Sequence, residues 1–338
     1  MQKPRLTWEA LTLEFHRPFR LSTGTSLTRT AFWIRLSNDE GWGEGTIPPY
    51  YGIPDKDMIA VWNTAAQSEI PFPDDPTQIP AWIGHVDVAP AKCALDLALH
   101  DRIAKKRNVP LYQLLNLPKP KPIATAFTIS IASPEEMADI ARENAQYPVI
   151  KLKLGTQDDV ARVAAVRAAR PDARIYVDAN AAWNPDEAIQ QIKALETYKL
   201  DMIEQPTAKN DIEGMGYVQA HTDIPIVADE SVCSLADIEA LAKAGVKGIN
   251  LKLMKIGGIS TALEMLKRGK ELDLKIMLGC MSETAIGVTA MAHLSSFADW
   301  IDLDAPMLIK NNPFTGVGYD ARARIYLPDS LGIGAKKQ

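Results

Sequence analysis

Ile150-Lys-Leu-Lys-Leu154 places two lysines at alternate positions of a short aliphatic run. In an extended strand successive side chains face opposite sides, so Lys151 and Lys153 share one face and Ile150, Leu152 and Leu154 the other. Four further stretches repeat the theme. Val177-Asp-Ala-Asn180, Ile203-Glu-Gln-Pro206 and Ala228-Asp-Glu-Ser231 each bring an aliphatic run to an acid, and Ile249-Asn-Leu-Lys-Leu-Met254 carries a lysine. The steps from Lys153 to Asp178, Glu204, Asp229 and Lys252 are 25, 26, 25 and 23 residues. That is one strand-plus-helix unit per step. Each charged group therefore returns to the same end of successive parallel strands, where barrel enzymes build their sites.

The surrounding chain supports this spacing. Runs rich in aliphatic or β-branched residues at 123–131, 149–154, 174–177, 202–203, 226–228, 248–253, 275–278 and 300–303 alternate with seven helical patterns. Ser133-Pro-Glu-Glu136 and Asn184-Pro-Asp-Glu187 are helix starts, an N-cap followed by Pro and then Glu at the third position. Ser234 and Gly245 bracket another helix. Such alternation argues for a closed parallel barrel or an open doubly wound sheet, and the charge spacing selects the barrel. Upstream the chain reads as α+β, with strands at 6–15 and 30–36, loops at 17–26 and 47–54, and a helix over 88–107. Gly41-Trp-Gly-Glu-Gly45 reads as turn or hairpin material. It is not a phosphate loop, since it lacks the GxGxxG spacing and no helical pattern follows it. Three prolines in Leu117-Pro-Lys-Pro-Lys-Pro-Ile123 mark a boundary. The expected units are 1–122, a barrel at 123–304, and a segment at 305–338. A barrel of that length is short of the ~200 residues that eight full units need. Pro and Gly replace helical spacing after Asp304, so the eighth helix is expected to be missing and the tail to run back to the first domain.

Composition narrows the function. Among 338 residues, 37 Lys and Arg against 42 Asp and Glu leave a net charge of −5, which disfavours nucleic acid or anionic membrane as partner. The one basic run, Arg102 to Arg107, ends a helical pattern, where cations complement the helix dipole. Cys93, Cys233 and Cys280 show no metal-finger or CxxC spacing and fit a reducing compartment. The start, 1–15, lacks the basic-then-apolar pattern of a signal peptide, and no run of eighteen apolar residues exists. A soluble, cytoplasmic protein is expected. The five histidines form no ligand pattern, so any metal is held by oxygen.

A lone acid at a strand end is an ordinary helix N-cap; here the set carries the argument. Inward barrel positions are normally Val, Ile or Leu, and burying unpaired charge costs several kcal/mol. A divalent ion bound by Asp178, Glu204 and Asp229 relieves that cost. Three carboxylates without His or Cys suit Mg²⁺, one per subunit, with Mn²⁺ as the substitute. Lys153 and Lys252 come from strands separated by the three ligand strands, so they flank the metal from opposite sides. The metal acidifies the α-proton of a chelated carboxylate by stabilising the enediolate. A lysine near a cation in a dry site sheds part of its proton affinity and can act as a base. One lysine on each face is the geometry of a racemase or epimerase.

On the KxK of Lys151-Leu-Lys153, the acids of VDAN, IEQP and ADES, and the lysine of Asn250-Leu-Lys-Leu-Met-Lys-Ile-Gly-Gly258, the sequence resembles the muconate-lactonizing-enzyme subgroup of the enolase superfamily over nearly its whole length. The resemblance implies an α/β fold, a (β/α)7β modified TIM barrel, with an α+β N-terminal capping domain completed by the C-terminal tail. A mandelate-racemase-like site would carry a histidine after the seventh strand, and Met277-Leu-Gly-Cys-Met-Ser-Glu283 has none. Asp302-Leu-Asp304 resembles the pair with which dipeptide epimerases, those of the L-Ala-D/L-Glu kind among them, hold the substrate's α-ammonium group. Its two acids share a strand face, and beside an acidic metal site they call for a cationic partner.

The implied activity is Mg²⁺-dependent inversion of the C-terminal α-carbon of a dipeptide by 1,1-proton transfer between two lysines. Lys153 and Lys252 would be the acid/base pair, Lys151 a contact to the substrate carboxylate, and Thr128 a carboxylate-contacting hydroxyl. Cys280 and Ser282 would supply backbone contacts to substrate, and Asn180 would orient the metal shell. Lys255, past its strand, is expected to be solvated. Homo-oligomers are common in this superfamily, and one is expected here. Epimerases acting on Ala-Glu carry an arginine in the first capping loop, where Phe19-Arg-Leu-Ser-Thr-Gly-Thr25 has threonine and glycine, with Arg20 placed earlier. The substrate is thus expected not to be strictly Ala-Glu, a small or apolar second residue matching at least as well. An o-succinylbenzoate synthase, N-acylamino-acid racemase or muconate-type cycloisomerase would use the same metal and lysines but has no use for the DxD. A silent barrel kept for binding has no reason to retain such costly charge.

Overall fold

The computed structural model describes residues 6–338 and, of residue 38, the backbone alone; the first five residues of the stretch read for a leader lie outside it. Leu6–Leu21 and Gly24–Leu36 form a long antiparallel hairpin, joined by Trp42–Gly45 into a three-stranded sheet. The 17–26 stretch, read as a loop, is the far end of this hairpin. Its register shifts between Glu14 and Phe19, and pairing resumes at Phe19 opposite Ser26. An irregularity of this kind bends and twists the ribbon. Gly41–Gly45 is likewise not a free turn, since Trp42 to Gly45 pair with Arg35 to Phe32. Its glycines permit close packing: a Cβ on Gly43 would stand 1.9 Å from the Ala94 carbonyl oxygen of helix Ala89–Lys106. The basic run at that helix end pairs with acids, Arg102 with Glu40 and Asp74, Lys106 with Asp74, and Arg107 with Asp75.

Eight parallel strands follow, Phe127–Ile129, Val149–Lys153, Arg174–Asp178, Met202–Glu204, Ile226–Ala228, Gly248–Leu251, Lys275–Gly279 and Trp300–Asp302, each paired with the next. The Ala126 N–H donates to the Ile301 carbonyl at 2.9 Å, joining the eighth strand to the first. Helices Pro134–Glu143, Asp159–Ala169, Pro185–Leu195, Ile212–Gln219, Leu235–Ala244, Ile259–Glu271 and Ala285–Ala292 connect them. The expected start signals operate: Asn184 and Ser234 each form a reciprocal capping box, and Ser133 Oγ accepts from the Glu136 N–H. Each cap is worth about 1 kcal/mol. Among the described residues the helical structure after the eighth strand is the single turn Ala305–Leu308. Of the run 123–131, only Phe127–Ile129 enters the barrel. Ile123–Ala124 pairs instead with tail strand Arg324–Tyr326, a long-range partner that local pattern cannot reveal.

Pleat alternation sorts the barrel side chains. Ile150, Leu152, Ile175, Val177, Ile203, Ile249, Leu251, Ile276, Leu278 and Ile301 belong to the main core. Val149, Tyr176, Met202, Val227, Met277 and Trp300, on the other strand face, form a separate apolar floor inside the barrel. The N-terminal domain is fastened to the barrel through helix starts. Glu44 accepts from the Thr284 N–H and hydroxyl, both at 2.7 Å, and from the Gly287 N–H at 3.1 Å. Asp96 accepts from the Ile259 N–H at 2.6 Å. Carboxylates are favoured at helix N-termini, where they meet unpaired N–H groups and the positive end of the dipole. The tail is held similarly, with buried Asp101 accepting from the Trp42 N–H at 2.9 Å and the Ile333 N–H at 2.8 Å.

Candidate active site

Above the apolar floor, the same alternation turns Thr128, Lys151, Lys153, Asp178, Glu204, Asn250 and Asp302 inward. Two strands end with the neighbouring residue displaced. Asn180 and Gln205 have positive φ, 46° and 38°, a strained conformation that recurs at functional sites. Gln205 uses the bend: its Oε1 accepts from the Asp229 N–H at 2.8 Å and its Nε2 donates to Ser231 Oγ at 2.8 Å. It thereby fixes the position of Asp229. Gly279 makes room opposite, since a Cβ there would lie 2.6 Å from Asn250 Oδ1 and 3.0 Å from Lys252 Cε.

The charges form one web. Lys153 Nζ meets Asp178 Oδ2 at 2.6 Å and Lys252 Nζ meets Asp229 Oδ2 at 2.7 Å. Lys151, 1% exposed, lies 2.7 Å from Glu204, 2.8 Å from Asp302 and 3.2 Å from Asp178. Burial works against the charge on Lys252, but Asp229 and Glu204 outweigh it and hold the ammonium well above its usual range. For Lys151 burial is likewise overcome, by Asp302, Glu204 and Asp178. Burial also opposes ionisation of Asp178, yet Lys153 and Lys151 bring it down to about 2. Glu204 is pushed up to about 7, by burial and then by Asp178. Lys153 ends the second of the eight strands and Lys252 directly follows the sixth, half a barrel apart.

Among the described residues no group of three His, Cys, Asp or Glu side chains forms a ready metal cage, and lysine ammonium groups lie against the carboxylate oxygens. The donor chemistry nevertheless fits a hard divalent ion. Asn180 Oδ1, Glu230 Oε2 and Asn250 Oδ1 are buried oxygens without a hydrogen-bond donor, and Glu204 Oε2 has only the poorly aligned Lys151 ammonium. Oxygens left so are costly unless a cation or water meets them.

All eight residues expected to touch substrate or move protons border one cavity. Thr128, Lys151, Lys153, Lys252, Cys280, Ser282, Asp302 and Asp304 line it, while Asp178, Glu204 and Asp229 lie just beneath, at 0 to 1% exposure. Asp302 is paired with Lys151, but Asp304 is not: its Oδ2 accepts the Thr128 N–H at 2.7 Å, and among the described residues no cationic side chain pairs with it. Burial and the neighbouring Asp302 push its carboxyl up to about 7. Thr128 Oγ1 faces Asp302 Oδ1 at 3.4 Å rather than standing free.

Lys255 corrects the sequence reading. It is buried, not solvated, because the short turn Leu253–Ile256 folds it back onto Asp229 Oδ1, the Asp229 carbonyl and the Asn250 carbonyl. Other residues had no sequence signal strong enough to single them out. Asn250 Nδ2 donates to Glu204 Oε1 at 2.8 Å, and its inward strand position could have marked it. Glu230 accepts from Asn180 Nδ2 at 3.2 Å. From the N-terminal domain, Arg29 and Tyr50 reach the cavity roof. Arg29 has a buried Nε without a partner, and burial lowers its affinity for its proton.

The profile for enolase C-terminal domain-like proteins matches residues 135–337. An L-Ala-D/L-Glu epimerase of Bacteroides thetaiotaomicron is 33% identical over 344 residues, spanning 99% of this chain and 88% of that protein. A hydrophobic dipeptide epimerase of Enterococcus faecalis is 39% identical over 255 residues, 72% of each chain. The crystal structure of a dipeptide epimerase from Enterococcus faecalis V583, complexed with Mg and the dipeptide L-Leu-L-Tyr, has a TM-score of 0.91 at 32% identity and covers 99% of both chains.

Proposed function

The chain belongs to the enolase C-terminal domain-like family, and on that premise we propose that it is a Mg²⁺-dependent dipeptide epimerase inverting the α-carbon of the substrate's C-terminal residue. The observation that carries the reading is Asp304, a buried acid without a cationic partner on the wall of a cavity flanked by two lysines. A substrate ammonium supplies that cation. N-acyl amino acids and muconate-type acids have no α-ammonium.

Asp178, Glu204 and Asp229 would hold the ion, with Asn180, Glu230 and Asn250 as neighbouring oxygen donors. When bound, Mg²⁺ supplies a Lewis acid for the substrate carboxylate, and Mn²⁺ shares the donor preference. Lys151 adds a fixed positive charge beside that carboxylate. Lys153 and Lys252 face the α-carbon from opposite sides; one takes the proton and the other returns it to the other face. For either to act as a base, its pair with Asp178 or Asp229 must loosen, which follows once those carboxylates are engaged elsewhere. Asp302 and Asp304 set the register by anchoring the ammonium, while Cys280 and Ser282 border the peptide, and Phe19, Arg29 and Tyr50 roof it. Among the described residues no helix is long and apolar enough to cross a membrane. The three unpaired cysteines agree with a reducing, cytoplasmic setting, and we read the enzyme as a homo-oligomer on family grounds.

Incubating a dipeptide library with enzyme and Mg²⁺ in D₂O tests the proposal. Deuterium should enter at the C-terminal α-carbon of dipeptides and not of N-acyl amino acids. Exchange confined to N-acyl amino acids would assign the site to a racemase of those compounds instead, and no exchange on either would leave the silent barrel.

A further inference from the structure

The missing eighth helix leaves a space that the proposed reaction has not yet used. The cavity over the lysines offers about 60 Å³. That is room for about two waters, far below the ~300 Å³ or more usual for ligand sites. Beside it lies a second cavity of about 400 Å³, on the outer side of the first strand where only the turn Ala305–Leu308 follows the eighth. Phe15, Phe19, Phe127, Tyr147, Met307 and Leu308 dominate its walls. Phe15 stacks on Phe19 and Phe127 on Tyr147, with centroids 5.4 and 4.6 Å apart. Phe15, Phe19, Thr128 and Leu308 border both spaces, so the two adjoin. The charged pair at its rim, Arg17 with Glu143 at 2.8 Å, is self-neutralised and exposed.

We propose that this second cavity receives the side chain of the substrate's first residue, so that the enzyme prefers dipeptides beginning with a large apolar residue. The inference rests on the epimerase reading, through one geometric link. Asp304, the acid assigned to the substrate ammonium, is bonded to the backbone of Thr128, the strand residue shared by both cavities. Ammonium and side chain leave the same carbon, so a side chain on that carbon starts at the partition. The aromatic and aliphatic walls select Leu, Met or Phe, and the charged lining residues, Arg17 and Glu143, are already paired with each other at the exposed rim.

The test measures kcat/KM for a dipeptide series with one constant second residue and Ala, Leu, Met, Phe or Lys in first place. The wild-type enzyme should favour Leu, Met or Phe over Ala by about ten-fold or more, since each well-buried methylene is worth at least that much, and should disfavour Lys. Met307→Trp, which fills the cavity away from the lysines, should cut the Phe-to-Ala ratio by about ten-fold. Phe127→Leu should move the optimum toward bulkier first residues, and keeps the test decisive if the tryptophan variant does not fold. Turnover indifferent to the first residue, or ratios unmoved in both variants, would overturn the cavity assignment and leave the epimerase reading standing. No α-exchange with any dipeptide would overturn the epimerase reading and the assignment with it.

Discussion

Replacing Lys255 by methionine separates a buried structural cation from a solvated one. The Lys255 side chain is 0% exposed, and its ammonium serves Asp229 Oδ1 and the carbonyls of Asp229 and Asn250. Removing one partner of a buried ion pair costs about 3 to 5 kcal/mol, because the remaining charge stays desolvated. Asp229 keeps Lys252 at 2.7 Å, which favours the lower end of that range. The Asp229 carbonyl keeps the Val232 N–H at 3.0 Å, so the loss of a donor at the Asn250 carbonyl adds about 1 kcal/mol and brings the total to about 4 kcal/mol. With a urea dependence of about 3 kcal/mol per molar, the unfolding midpoint should fall by about 1 to 1.5 M. Urea titration followed by tryptophan fluorescence reads this directly. Calorimetric Mg²⁺ titration below the transition should show about ten-fold weaker binding, as expected when a partner of a ligating carboxylate is lost. A midpoint within ~0.2 M of wild type with unchanged Mg²⁺ affinity would refute the reasoning.

Three further outcomes follow from the same charges. Burial and then Glu44 push Glu283 well above its usual range, and burial lifts Glu44 to about 6; raised carboxyl values stabilise the fold below the unfolded value near 4.5 and lose that contribution as pH rises through the folded value. For Glu44 alone the loss is about 2 kcal/mol. Thermal melts from pH 4.5 to 8 should therefore decline in the wild type and decline less in Glu283→Gln, where only the Glu283 share is removed; parallel profiles would contradict this. Because the Asp304 carboxyl sits at about 7 and an ammonium favours its ionised form, KM for a dipeptide should fall as pH rises through 7 and then level. A KM that is flat between pH 5.5 and 8 counts against the assigned ammonium site. Arg29, with its buried unpartnered Nε in the cavity roof, should give any acidic second residue a bidentate partner. Arg29→Leu should then cost an Ala-Glu substrate about 2 kcal/mol in kcat/KM and an Ala-Leu substrate much less; equal losses would exclude that contact.

The barrel was legible because charge recurs once per strand-helix unit and strand alternation has a period of two. Both are local regularities, and both place Lys151, Lys153, Asp178, Glu204, Asp229 and Lys252 without any tertiary information. What stayed hidden depends on distant partners. Ile123–Ala124 leaves the barrel because it finds Arg324–Tyr326, about two hundred residues away in sequence. Lys255 looked solvated because it lies past the strand, and only the fold-back of the Leu253–Ile256 turn buries it. Arg29 reaches the site from the second strand of the hairpin, where it pairs opposite Leu13, and nothing in the local sequence marks that strand as lying over the barrel. The glycines of 41–45 read as a turn, since nothing local announces a helix backbone lying against them.

The central claim is that Lys153 and Lys252 address opposite faces of one α-carbon. It is tested most directly by following α-proton exchange in D₂O, by proton NMR, for the L,L and L,D epimers of one accepted dipeptide with Lys153→Ala and Lys252→Ala. Neither variant should interconvert the epimers, and each should wash out the α-proton of one epimer only, the two variants being opposite in their choice. Epimerisation by either variant at near wild-type rate, or exchange of both epimers by the same variant, would contradict the two-lysine account.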